Sequence, residues 1–166
     1  MGLEYWRSGR PKRSAEPPSL IYLASTSPRR KALLKKAGIS LRILKPDYEE
    51  GKSLKAPPSR IVQIHARRKA ESCVRQVRNG ILLAADTVVY LDGKIFGKPA
   101  DQKEARLILG RLQGRRHFVY TGVAIFKIIR GEVVERTFFF EKTGVRLKSL
   151  TAKDIDNVAF GHGKDN

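Results

Sequence analysis

Cysteine, methionine and tryptophan each occur once in the 166 residues. A lone cysteine, Cys73, excludes an intramolecular disulfide framework and a cysteine-based zinc site. A reducing compartment is therefore compatible with the composition, and the cytoplasm is the expected location. His65, His117 and His162 are far apart and share no metal-ligand spacing, which argues against a histidine metal centre. No apolar run approaches the roughly 20 residues that a membrane span needs. There is no Walker-type glycine-rich loop and no convincing Ser-His-Asp order. Acidic side chains are few: 16 against 34 Lys and Arg, a net charge of +18.

Such a balance fits nucleotides, nucleic acid or an acidic surface as partners. The basic residues fall in small clusters spread along the chain, such as Arg29-Arg30-Lys31 and Arg67-Arg68-Lys69. Most clusters of this kind are solvated faces. The 41% hydrophobic content is ordinary for a globular protein.

Residues 1–19 carry Gly, Pro, Ser and basic side chains with no hydrophobic period, and are expected to be a disordered basic extension. Glu4, Glu16 and the lack of a long apolar stretch argue against a secretory signal. From residue 20 to 166 the pattern is that of one domain. Leu20 to Ala24 reads as a buried strand. Ser27-Pro28 then opens a helix to about Ala37, with Ser27 as cap and Gly38 as terminator. Strand, polar turn and helix start together make an anion site, because free N–H groups and the helix dipole converge there.

Leu41 to Leu44 is a second strand, and Pro46 to Pro58 a polar loop with Asp47, Glu49 and Glu50. Val62, Ala66, Ala70, Cys73 and Val77 mark a helix from about Ser59 to Val77. Ile81 to Ala85 is a further buried strand with Asp86 at its carboxyl end. Val88 to Leu91 and Lys94 to Phe96 flank a tight Asp92-Gly93 turn. Asp101 caps a helix to about Leu112. Phe118 to Ile129 and Val133 to Leu147 are long strands, and Thr151 starts a helix to about Val158. No internal repeat is present. The mixture predicts an α/β domain.

Four groups could carry chemistry. Ser25-Thr26-Ser27-Pro28-Arg29-Arg30 reads either as a phosphate turn or as an ordinary capped helix with exposed arginines; guanidinium forks suit phosphate. Asp86 lies where open α/β sheets bind ligands, so it could hold a metal or orient water; equally, it could satisfy turn N–H groups. Glu49-Glu50 could complete a hard-cation site with Asp86 or be a solvated acidic pair. Lys69 flanks the apolar face of its helix, where lysines commonly snorkel to water. Lys98, in Gly97-Lys98-Pro99, sits in a rigid loop that would either aim it or merely expose it.

Taken together, these segments resemble the Maf family, also called septum-formation inhibitor proteins. The matching stretches are Leu23 to Arg30, Ala66 to Ala70, Ala85 to Val89, Asp92 to Pro99, and then Ala105, Leu109, Leu112, Gly114, His117, Val119 and Thr121 to Val123. Each is short, but they occur in family order from about residue 20 to 158. The resemblance implies an elongated mixed β-sheet flanked by helices, like that of inosine triphosphate pyrophosphatases. It implies cleavage of nucleoside triphosphates between the α- and β-phosphates, with Mg²⁺ or Mn²⁺ as cofactor. Ser25, Arg29, Arg30, Lys69 and Lys98 would hold phosphates. Glu49 and Asp86 would bind the metal, with Asp86 also the base for the attacking water.

Paired arginines and Asp86-Thr87 resemble the branch acting on dTTP, UTP and modified pyrimidine nucleotides. Family members continue into a further segment bearing a lysine and a glutamine, for which Phe160 to Asn166 offers no counterpart. The chain is therefore expected to be incomplete at its C-terminus, with uncovered sheet edges and a tendency to form a homodimer. A nucleotide-binding pseudoenzyme and a basic nucleic-acid-binding protein are the alternatives. The second of these lacks an aromatic RNA-binding signature or a helix-turn-helix.

Overall fold

The computed structural model describes residues 20–49 and 55–159. The expected N-terminal extension and the tail from Phe160 lie outside the described residues. The elements run β1 (Ile21–Ala24), α1 (Pro28–Lys36), β2 (Leu41–Leu44), α2 (Pro58–Cys73), a 3₁₀ turn (Val74–Gln76), β3 (Gly80–Leu91) and β4 (Lys94–Phe96). They continue with α3 (Gln102–Leu112), β5 (Arg116–Ile129), β6 (Glu132–Arg146) and α4 (Ala152–Ala159). Among the described residues the strands make one six-stranded mixed sheet in the order β2-β1-β3-β5-β6, with β4 also on β3.

β1 is parallel to both β2 and β3. The chain thus leaves β1 toward β2 and then crosses back over it to β3. Right-handed crossovers in opposite directions put α1 and α2 on opposite faces. They also make the boundary between β1 and β3 a topological switch point, the place where α/β sheets take ligands.

α2 is amphipathic as its spacing predicts. Ile61, Val62, His65, Ala66, Ala70 and Cys73 are its buried residues. Of these, Ala66, Ala70 and Cys73 form one core cluster with Leu82, Ala84, Ala124, Phe126 and Ile128 of the sheet. Burying each large apolar side chain here stabilises by about 1.5–3 kcal/mol. The small residues let the helix lie close to the strands. At Gly122 a Cβ atom would stand 2.3 Å from the carbonyl oxygen of Val62. Only glycine fits beneath α2 at that point.

Two expectations need correction. The strand Ile81 to Ala85 and the segment Val88 to Leu91 are one strand, so Asp86 is mid-strand rather than at a carboxyl end. The reason is β5, which pairs with β3 without a break from Gly80 to Tyr90. Ser27 has the extended backbone of a cap but makes no side-chain cap bond. Other punctuation is as read. Asp92 and Gly93 both have positive φ, 46° and 79°, as a tight hairpin turn requires. Asp101 accepts from the Glu104 N–H at 2.7 Å. Thr151 and Asp154 cap each other reciprocally at the start of α4.

Candidate active site

One edge of β3 is shared by two neighbours. β1 pairs with Ile81 to Leu83, and β4 pairs with Val89 to Leu91. Between them the Ala84–Val88 stretch of that edge has no strand partner among the described residues, and Asp86 is at its centre. The turn after β1 opens into this gap. The register of β4, in which Phe96 lies opposite Val89, carries the chain toward it.

Alternation along β3 assigns the side chains to faces. Leu82, Ala84 and Asp86 share the face covered by α2, whereas Thr87 is exposed on the other. Asp86 is 3% exposed. Its Oδ1 receives the Lys69 Nζ at 2.7 Å. Its Oδ2 is buried and has no hydrogen-bond partner. Lys69 lies between Ala66 and Ala70 in α2, so the tight packing at Gly122, the register partner of Asp86, also fixes where the ammonium arrives.

On the other face Arg30 bridges two elements. Its Nη1 donates to Ser25 Oγ at 3.4 Å and its Nη2 to Thr87 Oγ1 at 3.1 Å. Thr87 Oγ1 is in turn 3.1 Å from Thr121 Oγ1, its cross-strand neighbour. Ser25 is 5% exposed, and its Oγ also accepts from the Ser27 N–H at 3.2 Å. With both contacts made as acceptor, the Ser25 hydroxyl proton remains to be donated. Pro28 fills the first helical position and the first turn has no acidic residue. The N–H groups of Arg29 and Arg30 have no carbonyl four residues back inside α1, which leaves the helix start suited to an anion.

The structure thus brings Ser25, Arg30, Lys69 and Asp86 to one gap. Arg29 is exposed in the first turn of α1, and Lys98 is exposed two residues beyond β4. Glu49 is exposed after β2 and makes no hydrogen bond or ion pair. Glu50 lies outside the described residues. No group of three His, Cys, Asp or Glu that could hold a metal occurs among the described residues. The donor chemistry still fits a hard divalent ion. Asp86 Oδ2 is a buried oxygen in want of a partner, and Mg²⁺ commonly takes one or two carboxylates and completes its shell with water and substrate phosphate.

One contact was not legible in the sequence. His65, read as a plain helix-face residue, is buried, and its Nδ1 is 2.7 Å from the Tyr48 hydroxyl. The two rings are 5.8 Å apart, and Arg68 lies 6.0 Å over Tyr48. Tyr48 immediately precedes the Glu49-Glu50 pair, so α2 anchors the start of the acidic loop with one residue and holds Asp86 with another one turn on. The available signal was a histidine on an apolar helix face together with an aromatic residue inside an acidic loop. Two open clefts lie elsewhere: one of about 500 Å³ between α3 and α4, lined by Leu107, Ala152 and Ile155 among others, and one of about 230 Å³ beside the Asp92 turn. Neither is lined by a predicted site residue.

The fold is similar to that of a HAM1 protein from Coxiella burnetii. The two share 16% identity with a TM-score of 0.51, over 77% of this chain and 72% of that one. The chain belongs to the Maf family, described as Maf-like protein, which matches residues 20–162. A dTTP/UTP pyrophosphatase of Thermus thermophilus is 48% identical over 153 residues, 92% of this chain and 75% of that protein. One of Dictyoglomus thermophilum is 37% identical over 147 residues, 87% of this chain and 75% of that protein.

Proposed function

We propose that the protein is a nucleoside triphosphate pyrophosphatase that hydrolyses the α–β phosphate bond of pyrimidine nucleotides such as dTTP and UTP, giving the monophosphate and pyrophosphate. The names of the relatives support the substrate class. The observation that carries the reading is the buried Asp86 carboxylate, half satisfied by Lys69, in a gap bordered by the Ser25–Arg30 turn.

In this reading Ser25, Arg29, Arg30, Lys69 and Lys98 bind the phosphates. Arg29 and Lys98 are exposed and would close on the ligand from opposite ends of the gap. Arg30 is pre-organised by Ser25 and Thr87, so little side-chain entropy is lost on binding. The cations stabilise the charge that develops on the leaving pyrophosphate. Asp86 orients the attacking water as its base, while Lys69 fixes the carboxylate by Oδ1. Asp86 and Glu49 would hold a divalent cation. When bound, Mg²⁺ or Mn²⁺ neutralises phosphate charge and lowers the pKa of a coordinated water. No helix among the described residues is long and apolar enough to cross a membrane, and the cytoplasm, where nucleoside triphosphates are made, is the place of action we infer.

The test is pyrophosphate release from dTTP, UTP, CTP and GTP with Mg²⁺ or Mn²⁺, beside Asp86→Asn. Metal-dependent release favouring dTTP and UTP, lost by at least 100-fold in the variant, is expected. Triphosphate binding without release by the parent chain would favour the pseudoenzyme. That second reading draws on the incomplete carboxylate set among the described residues.

A further inference from the structure

We propose that α1 and the outer strand β2 form a binding face for the sugar-phosphate backbone of a nucleic acid, distinct from the triphosphate site. Net charge alone leaves such a partner open; the distribution of charge on the fold gives it a location.

Between Leu20 and Pro46 the chain has no acidic residue. Lys31, Lys35, Lys36, Arg42 and Lys45 are all exposed there. None of these five takes part in an ion pair. The other two cations of the stretch, Arg29 and Arg30, belong to the triphosphate turn, Arg30 being held by Ser25 and Thr87. Elsewhere acidic residues stand among the basic ones, and some pair with them, as in Arg67–Glu71, Arg106–Asp156 and Arg115–Asp92.

Ordinary structural needs account for part of this pattern. Lys35 and Lys36 sit in the last turn of α1, where cations suit the helix dipole. A charge at Arg42 protects an outer strand from edge pairing. Neither need requires a surface free of acid. Lys31 and Lys35 are four residues apart on one helix, a like-charge arrangement that destabilises it. α1 buries no residue in compensation. A polyanion laid along this face relieves that repulsion.

The face does not fit a membrane surface. An interfacial helix needs a broad apolar side rich in Trp, Phe or Leu. α1 has nine residues and no aromatic, with Leu33 its one strongly exposed apolar side chain. With no aromatic in α1 or β2, base stacking is not the main contact on this face. Recognition is therefore through phosphates and independent of sequence.

The experiment uses the full chain and fluorescein-labelled 20-mer duplex DNA, duplex RNA and single-stranded DNA, followed by anisotropy across a salt series. Binding is expected to weaken steeply with salt. The triple variant Lys31→Gln/Lys35→Gln/Lys36→Gln should lose at least tenfold in affinity. Each phosphate contact removed should lower the slope of log K against log salt by about 0.9 on a duplex. Arg42→Gln/Lys45→Gln should act in the same direction through β2, so the test does not depend on the helix surviving its substitutions. Arg136→Gln/Lys142→Gln/Arg146→Gln removes the same charge from exposed positions of β6 and should change affinity less than twofold. Equal losses in the two triple variants would overturn the proposal, as would binding to phosphatidylserine vesicles without binding to any of the three nucleic acids. Displacement by millimolar dTTP would show that the polyanion occupies the triphosphate site, and so would contradict a separate face.

Discussion

Lys69 and Asp86 are 17 positions apart in sequence and in contact at 2.7 Å, with side chains 12% and 5% exposed. A buried pair of this kind gives little net stability, because desolvation offsets attraction, but removing one partner strands the other. Lys69→Met is expected to cost about 3 kcal/mol or more and to weaken triphosphate binding. Urea unfolding and nucleotide titration read the two effects separately. If stability were unchanged, the ion pair would not be holding Asp86. The local motifs around Ser25, Arg30 and Asp86 were legible because each is a short run of chemically distinctive residues. Their mutual contacts were not. Nothing in the spacing tells that Arg30 reaches Thr87, or that one oxygen of Asp86 is taken and the other left bare. Burial also acts on Cys73, whose thiol is pushed above its ordinary value by desolvation. The folded protein should therefore resist thiol reagents at neutral pH that modify the urea-unfolded chain rapidly.

Among the elements, α2 does most to place the site. Its approach to β5 is set by Gly122, beside which the Val62 and Gln63 backbone leaves no room for a Cβ. Gly122→Ala must lift the helix or bend the strand. A loss of about 1–3 kcal/mol is expected from overpacking, with reduced activity because Lys69 moves with the helix. Alanine tolerated at full stability and activity would contradict the packing account. Along the same helix, His65 anchors Tyr48. Tyr48→Phe keeps the ring against Arg68 and removes the hydroxyl. It should raise the Mg²⁺ concentration needed for half-maximal activity several-fold with little change in thermal stability, if the acidic loop contributes to the cation. Most helices and turns were legible from periodicity and punctuation. The single long β3 was not, since Asp86-Thr87 looks like a break and only the unbroken partner strand β5 makes it continuous.

At the scale of the whole molecule, the sheet ends in β6, whose residues are largely exposed. Val134, Phe138, Phe139 and Phe140 lie on it at 53%, 38%, 46% and 42% exposure. Among the described residues no strand covers its outer edge. We propose that this edge drives self-association, by homodimer formation or less ordered pairing. Light scattering after size exclusion should show a mass that rises with concentration, and Phe139→Lys should reduce it. A constant monomer mass would remove that proposal while leaving the active-site reading intact. The central claim is that the gap at Asp86 cuts a triphosphate between its first two phosphates. The most direct measurement is ³¹P NMR of the products formed from dTTP and Mg²⁺ in the absence of any other enzyme. Thymidine monophosphate and pyrophosphate in equal amounts are predicted. Thymidine diphosphate with inorganic phosphate, or no turnover by the full chain, would contradict the account.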